Sequence, residues 1–126
     1  MSRLEIFGIV GIGEIGPGDD LAAIIHAAAG ADPTTALADG DVVVVTQKIV
    51  SKAEDRLVAI DPEDPLSHKP LVERESVRIL RRRGELIISE TEHGFVCANA
   101  GIDLSNVQKG WAALLPVDPD RSARRI

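Results

Sequence analysis

"DGDVVVVTQKIVSKAEDRLV", residues 39–58, carries the unbroken β-branched run Val42–Val45 behind the turn signal Asp39-Gly40-Asp41. An apolar run bounded by turn residues reads as a strand buried on both faces, so residues 42–45 predict the central strand of a sheet. Lys48 and Lys52 come after that run. Strand ends are where α/β-type sheets place ligands, so a cation leaving the end of a rigid sheet could meet an anion there. From this segment alone, two solvated lysines are the simpler reading. Thr46, Gln47 and Ser51 offer hydrogen bonds to phosphate oxygens, or simply close a turn.

Working outward, Leu4–Val10 alternates and predicts a strand ended by the glycine-rich stretch GIGEIGPG. Asp19 or Asp20 can cap a helix whose stripe Leu21, Ile24, Ile25 and Ala28 runs to Gly30. Leu57–Ile60 predicts a shorter strand, followed by a loop containing Pro62, Pro65 and Pro70. Residues 71–83 place apolar side chains at 72, 79 and 80 among many charged ones, which predicts an amphipathic helix stopped at Gly84. Glu85–Thr91 and Phe95–Ala100 predict strands joined through His93-Gly94. Trp111–Val117 predicts another, and Asp118 or Asp120 a cap for a last helix near Ile126. A helix so brief has little cooperativity of its own, so the chain reads as cut within a domain. The expected fold is mixed α/β of the α+β kind, a single sheet with helices packed on it.

Composition narrows function. With 126 residues the chain suits one domain. Its 20 acidic against 14 basic residues, a net charge of -6, set up a field that repels polyanions and argues against nucleic acid as a partner. Aromatics at 2% leave no stacking platform for bases. The longest apolar runs fall far short of the ~20 residues that span a bilayer, and no signal-peptide pattern opens the chain. Cys97 stands alone, so no intrachain disulfide can form. The expected location is the cytoplasm.

Gly11-Ile12-Gly13-Glu14-Ile15-Gly16 matches G-x-G-x-x-G after an expected strand, but a dinucleotide-binding reading fails on the residues C-terminal to it. In that motif the helix opens inside the glycines and its N–H groups meet the pyrophosphate. Here Pro17-Gly18 intervenes, and Asp19 and Asp20 put carboxylates at the positive end of the helix. The loop is either a flexible connection or a stretch of backbone lying along a nucleotide. A second constellation is "CANAGIDLSNV", residues 97–107, which gathers Asn99, Asp103, Ser105 and Asn106 at one turn. A carboxylate with amide and hydroxyl neighbours suits a hard cation such as Mg²⁺, which takes one or two carboxylates plus substrate phosphates. An Asx-type turn, Asp103 bonding the backbone near Ser105, explains the same letters. His26, His68 and His93 have no nucleophile to serve, Cys97 reads as a small core residue, Arg81–Arg83 as a solvated helix end, and Trp111 as core.

Taken together, GIVGIGEIGPGDDL, DGDVVVVTQKIVSKAEDRLV, ANAGIDLSNV and LLPVDPDRSA resemble, in order and spacing, the coenzyme F420-0:L-glutamate (gamma-glutamyl) ligase family. The likeness covers almost the whole chain. It implies a GTP-dependent addition of L-glutamate to F420-0 with a divalent cation, Mg²⁺ or Mn²⁺. The precursor's terminal carboxylate is phosphorylated, the glutamate amine attacks the acyl phosphate, and GDP and phosphate leave. Such chemistry needs positioning and charge neutralisation more than a nucleophilic side chain. Carried over by position, Ile12, Gly13, Glu14 and Ile15 resemble the family's nucleotide-contacting loop. Gln47 stands where a small hydroxyl residue is usual, Lys52 matches a phosphate-facing lysine, Asp103 a metal-binding aspartate, and Asn106 an asparagine contacting GTP. No catalytic side chain is assigned. Gly13 replaces a proline common in the loop. The resemblance further implies an intertwined homodimer, and that residues 1–126 are the N-terminal portion of a ligase domain whose continuation supplies further metal ligands. Such a portion alone would turn over little, and the alternative is a non-catalytic truncated module that binds nucleotide or deazaflavin, or assembles with a partner.

Overall fold

The computed structural model describes residues 2–105 and 107–126, as helices and two small antiparallel sheets, an α+β arrangement. Helix α1 (Leu21–Gly30) starts where its cap predicts, with the Asp20 carboxylate accepting from the Ala23 amide at 3.0 Å. Asp19 instead closes the preceding turn by accepting from the Gly16 amide at 2.8 Å. Leu21 and Ile25 of α1 then bury against Ile15 and against Val50 of α2 (Gln47–Ala53). This cluster anchors the glycine-rich loop to the lysine-bearing helix, and the Gly18 amide reinforces it by donating to the Ala53 carbonyl at 2.8 Å.

Strand β1 (Leu57–Ala59) pairs with β5 (Trp111–Ala113), Leu57 opposite Ala113. On its other side Ala113 exchanges both backbone hydrogen bonds with Asp103, each 2.9 Å. The second sheet runs β2 (Ser76–Arg83), β3 (Leu86–Thr91), β4 (Val96–Ala98), with α3 (Lys69–Arg74) beside it. Val72, Ile87 and Ala100 form a second core cluster under that sheet. Helix α4 (Pro119–Arg125) is capped by Asp118, which accepts from the Arg121 amide at 2.8 Å. Among the described residues no helix is long and apolar enough to cross a membrane.

Several sequence expectations give way. The single sheet is two. Val42–Val45 and Leu4–Val10 enter neither sheet, and Val42 and Val44 are each 87% exposed, Leu4 85% and Ile6 86%. A strand needs a neighbour to satisfy its amides and carbonyls, and no described segment pairs with these runs. The helix expected over residues 71–83 stops at Arg74, and Ser76 onward is strand β2. Cross-strand partners override the weak helical stripe: the Ser76 hydroxyl donates to Ser89 Oγ at 2.7 Å, and Arg78 pairs with Glu90 at 2.9 Å. Gly84, at φ +58°, turns a hairpin instead of stopping a helix. Arg81–Arg83 therefore line an exposed strand, Arg82 pairing with Glu73 at 2.7 Å. Trp111 is not core: it opens β5 opposite Ala59 at the end of a two-strand ladder, where it remains 38% exposed.

Candidate functional site

Helix α2 begins directly after the valine run, so the two lysines leave from a helix, not from a strand end. Lys48 and Lys52 are one turn apart and share a face. The neighbouring face carries Gln47 and Ser51, which face inward. Ser51, fully buried, donates to the Leu114 carbonyl at 2.5 Å, and the Gln47 amide donates to the same carbonyl at 3.2 Å. Gln47 also donates to Ser51 Oγ at 2.5 Å. These bonds fasten α2 to the end of β5.

Each lysine meets a carboxylate. Lys52, nearly buried, is ion-paired with Glu14 of the glycine-rich loop, whose side chain is solvent-exposed. Lys48 pairs with Asp103 Oδ2 at 2.9 Å and donates to Ser105 Oγ at 3.0 Å. The Asp103 turn is the Asx turn its letters suggest: Oδ1 accepts from the Ser105 amide and hydroxyl, both at 2.7 Å. Burial pushes the Asp103 carboxyl up, but the hydrogen bonds from Ser105 and Lys48 outweigh it and hold the group below the ordinary carboxylate range.

The turn leading to Asp103 is backbone-strained. Asn99, Ala100 and Gly101 all lie at positive φ, +49°, +52° and +71°. Ala100 in this region costs about 1–2 kcal/mol. Two contacts brace it, as Asn99 Oδ1 accepts from the Ile87 amide at 3.2 Å and from Lys69 Nζ at 3.3 Å.

Of the residues singled out from sequence, Glu14, Lys52 and Asp103 converge on one side of α2, but Asp103 meets Lys48, not Lys52. Ile12 and Ile15 turn their side chains into the α1–α2 core, which leaves Gly13 and Glu14 as the exposed part of the loop. Gln47 is engaged with β5. Asn106 lies outside the described residues. Sequence reasoning missed Lys48 as the partner of Asp103, and the turn's oxygens were the only signal that a cation belonged there. Asp103 and Ser105 present hard oxygen donors to that cation. Among the described residues, no group of three or more His, Cys, Asp or Glu could hold a metal by itself.

Away from this face, His93 sits in the β3–β4 turn, donates through Nε2 to the Pro116 carbonyl at 2.7 Å and stacks on Phe95. Burial raises the Cys97 thiol pKa, in keeping with an unreactive packed cysteine. A cleft of about 520 Å³ opens between the valine run and α4, lined by Val43, Val44, Val50, Leu115, Pro116 and Ile126 among others.

The chain is thus an α+β one that sets two lysines of one helix against a glycine-rich loop and an oxygen-rich turn. A family model for F420-0:gamma-glutamyl ligase matches residues 10–126, and the chain belongs to that family. It is 41% identical to the coenzyme F420:L-glutamate ligase of Methanothermobacter thermautotrophicus over 98% of this chain and 54% of that protein. The enzyme of the same name from Methanopyrus kandleri is 39% identical over 90% of this chain and 48% of its own length. That from Archaeoglobus fulgidus is 34% identical over 98% and 53%. The chain spans about half the length of the curated relatives it matches.

Proposed function

We propose that this chain supplies the nucleotide- and metal-facing part of a cytoplasmic ligase that adds L-glutamate to F420-0 with GTP, through an acyl phosphate. The carrying observation is the common face of α2, where Lys48 and Lys52 stand one turn apart with Glu14 and Asp103 against them. Lys52, braced by burial, offers a fixed ammonium to phosphate oxygens, and the exposed backbone at Gly13 and Glu14 gives the nucleotide a surface to lie along. Asp103 and Ser105 would hold Mg²⁺ or Mn²⁺ jointly with the nucleotide, since one carboxylate and a hydroxyl leave most coordination positions to phosphate and water. When bound, the cation neutralises charge on the phosphates. The γ-phosphoryl passes from GTP to the precursor carboxylate with GDP as leaving group, and the glutamate nitrogen then displaces phosphate from the acyl carbon and gives up a proton, leaving an amide.

In a protein extended to the relatives' length, GTP, Mg²⁺, L-glutamate and F420-0 are expected to give a product one glutamyl residue heavier by mass spectrometry. Asp103→Ala should abolish it; full activity in that variant would remove Asp103 from the metal site and the reading with it.

A second reading, assembly with a partner, is favoured by the exposure of Val42, Val44, Leu4 and Ile6. Unpaired apolar runs of this kind are templates for strand addition, and an intertwined homodimer would satisfy them. Light scattering on the chain decides it: a dimeric mass supports self-assembly, a monomeric mass at every concentration refutes it.

A further inference from the structure

We propose that the Lys48 ammonium occupies the seat on Asp103 and Ser105 that a divalent cation takes in the loaded site, and that the cation's arrival releases Lys48 to the nucleotide's phosphates. This rests on the reading of Asp103 as a metal ligand. Lys48 Nζ lies 2.9 Å from Asp103 Oδ2 and 3.0 Å from Ser105 Oγ, so one positive centre bridges the two outward oxygen donors of the turn. A magnesium ion coordinates such oxygens at about 2.1 Å, which leaves no space for an ammonium in van der Waals contact with the same pair. Occupancy is therefore exclusive. The rest of the carboxylate is already spoken for, because Oδ1 accepts twice from Ser105, so the turn keeps its shape whichever cation is bound.

Displacement costs little on the lysine side. Lys48 sits on the α2 face that carries Lys52, and a freed ammonium there gains the same phosphate oxygens that draw Lys52 away from the exposed Glu14. Two carboxylate-bound lysines thus become two phosphate-bound lysines as the nucleotide and its cation arrive together. The two ammoniums and two carboxylates of the site cancel while it is empty.

The test uses the 126-residue chain with Mn²⁺ alone, counting free ion by electron paramagnetic resonance, and then GTP in saturating Mn²⁺ by calorimetry. Lys48→Met is expected to bind Mn²⁺ about fivefold more tightly than wild type, the loss of a competing ion pair of ordinary strength, yet to bind GTP with Mn²⁺ more weakly. Lys48→Gln serves as a second variant should Met perturb folding by circular dichroism. Lys109→Met, which removes the same charge from an exposed pair with Glu63, should leave both affinities at the wild-type value. An Mn²⁺ affinity unchanged in Lys48→Met, or raised equally in Lys109→Met, overturns the shared seat. GTP affinity in Lys48→Met no lower than wild type, absence of binding by both included, overturns the release. Asp103→Asn separates the parent reading: if it leaves Mn²⁺ binding at the wild-type level, Asp103 is no metal ligand and the ligase assignment fails at that point.

Discussion

Gly101→Ala should be among the most damaging single-methyl changes this chain can suffer. Gly101 holds φ +71°, and a Cβ built on it would stand 2.9 Å from Cγ, Cδ1 and Cδ2 of Leu115. Because Cγ is among the atoms met, moving a terminal methyl does not relieve the clash; the whole Leu115 side chain must rotate or the turn must shift. The left-handed conformation costs a non-glycine residue about 1 kcal/mol, and overpacking adds about 1–3 kcal/mol, for a loss of about 2–4 kcal/mol. Gly84→Ala provides the matching control, since Gly84 lies at φ +58° with nothing within 4 Å of its would-be Cβ. It should lose only the conformational part, about 1 kcal/mol. Urea denaturation of wild type and both variants, with Gly101→Ala/Leu115→Ala as a third, separates the contributions. The double variant should recover the packing part but not the conformational part, relative to Leu115→Ala alone. If Gly101→Ala costs no more than Gly84→Ala, the close approach to Leu115 carries no energetic weight and the strain assigned to this turn is wrong.

Burial, hydrogen bonding and exposure elsewhere in the chain set three further outcomes. His68 is 8% exposed, with no hydrogen-bond partner for Nδ1 among the described residues; burial, then the neighbouring Lys69 ammonium, hold its pKa below the ordinary 6.5. Since the unfolded chain then binds the extra proton first, stability should be full above pH 6.5 and fall as pH drops from there through the folded-state value. Urea midpoints between neutral and mildly acidic pH should show that fall in wild type and a flatter profile in His68→Asn. Ser51→Ala should cost about 1 kcal/mol, the net worth of one buried hydrogen bond, because the Leu114 carbonyl keeps the Gln47 amide as a partner; a loss above about 3 kcal/mol would mean that Ser51 alone secures α2. Val42→Lys with Val44→Lys should leave the unfolding midpoint of the isolated chain within about 0.5 kcal/mol of wild type while suppressing any self-association seen by light scattering. A large loss of stability would show that those side chains are already packed.

The parts legible in the sequence are those settled within a few residues. Asp20 and Asp118 announce α1 and α4 through their own side chains, and the Asx turn at Asp103 closes on the residue two positions on. Strands β1, β3 and β4 fall inside the runs expected of them. What failed depended on distant partners. Val42–Val45 has the composition of a central strand, but whether it pairs is decided by other segments, and among the described residues none supplies the ladder. Residues 76–83 carry arginines at spacings that suit a helix surface, yet Ser89 and Glu90 draw them into a hairpin. Helix α2 was hidden behind the valine run, although Gln47/Ser51 and Lys48/Lys52 already carry the one-turn spacing of two helical faces.

Lys48 and Asp103 are far apart in the chain, and backbone brings them together. Ala113 is the meeting point: it pairs with Leu57 on one side and exchanges both hydrogen bonds with Asp103 on the other. The next residue, Leu114, lends its carbonyl to Ser51 and Gln47, and its amide to the Arg56 carbonyl. The aspartate turn and the lysine helix are thus both referenced to two adjacent residues, so an error in one is shared by the other and their separation is preserved. Side chains then need only short reaches, and the strained Asn99–Gly101 turn has a reason to persist: it delivers Asp103 to the one register that places its carboxylate beside α2. A relaxed turn would let the pairing slip by a residue, which in a strand sends the side chain to the opposite face, away from the lysines.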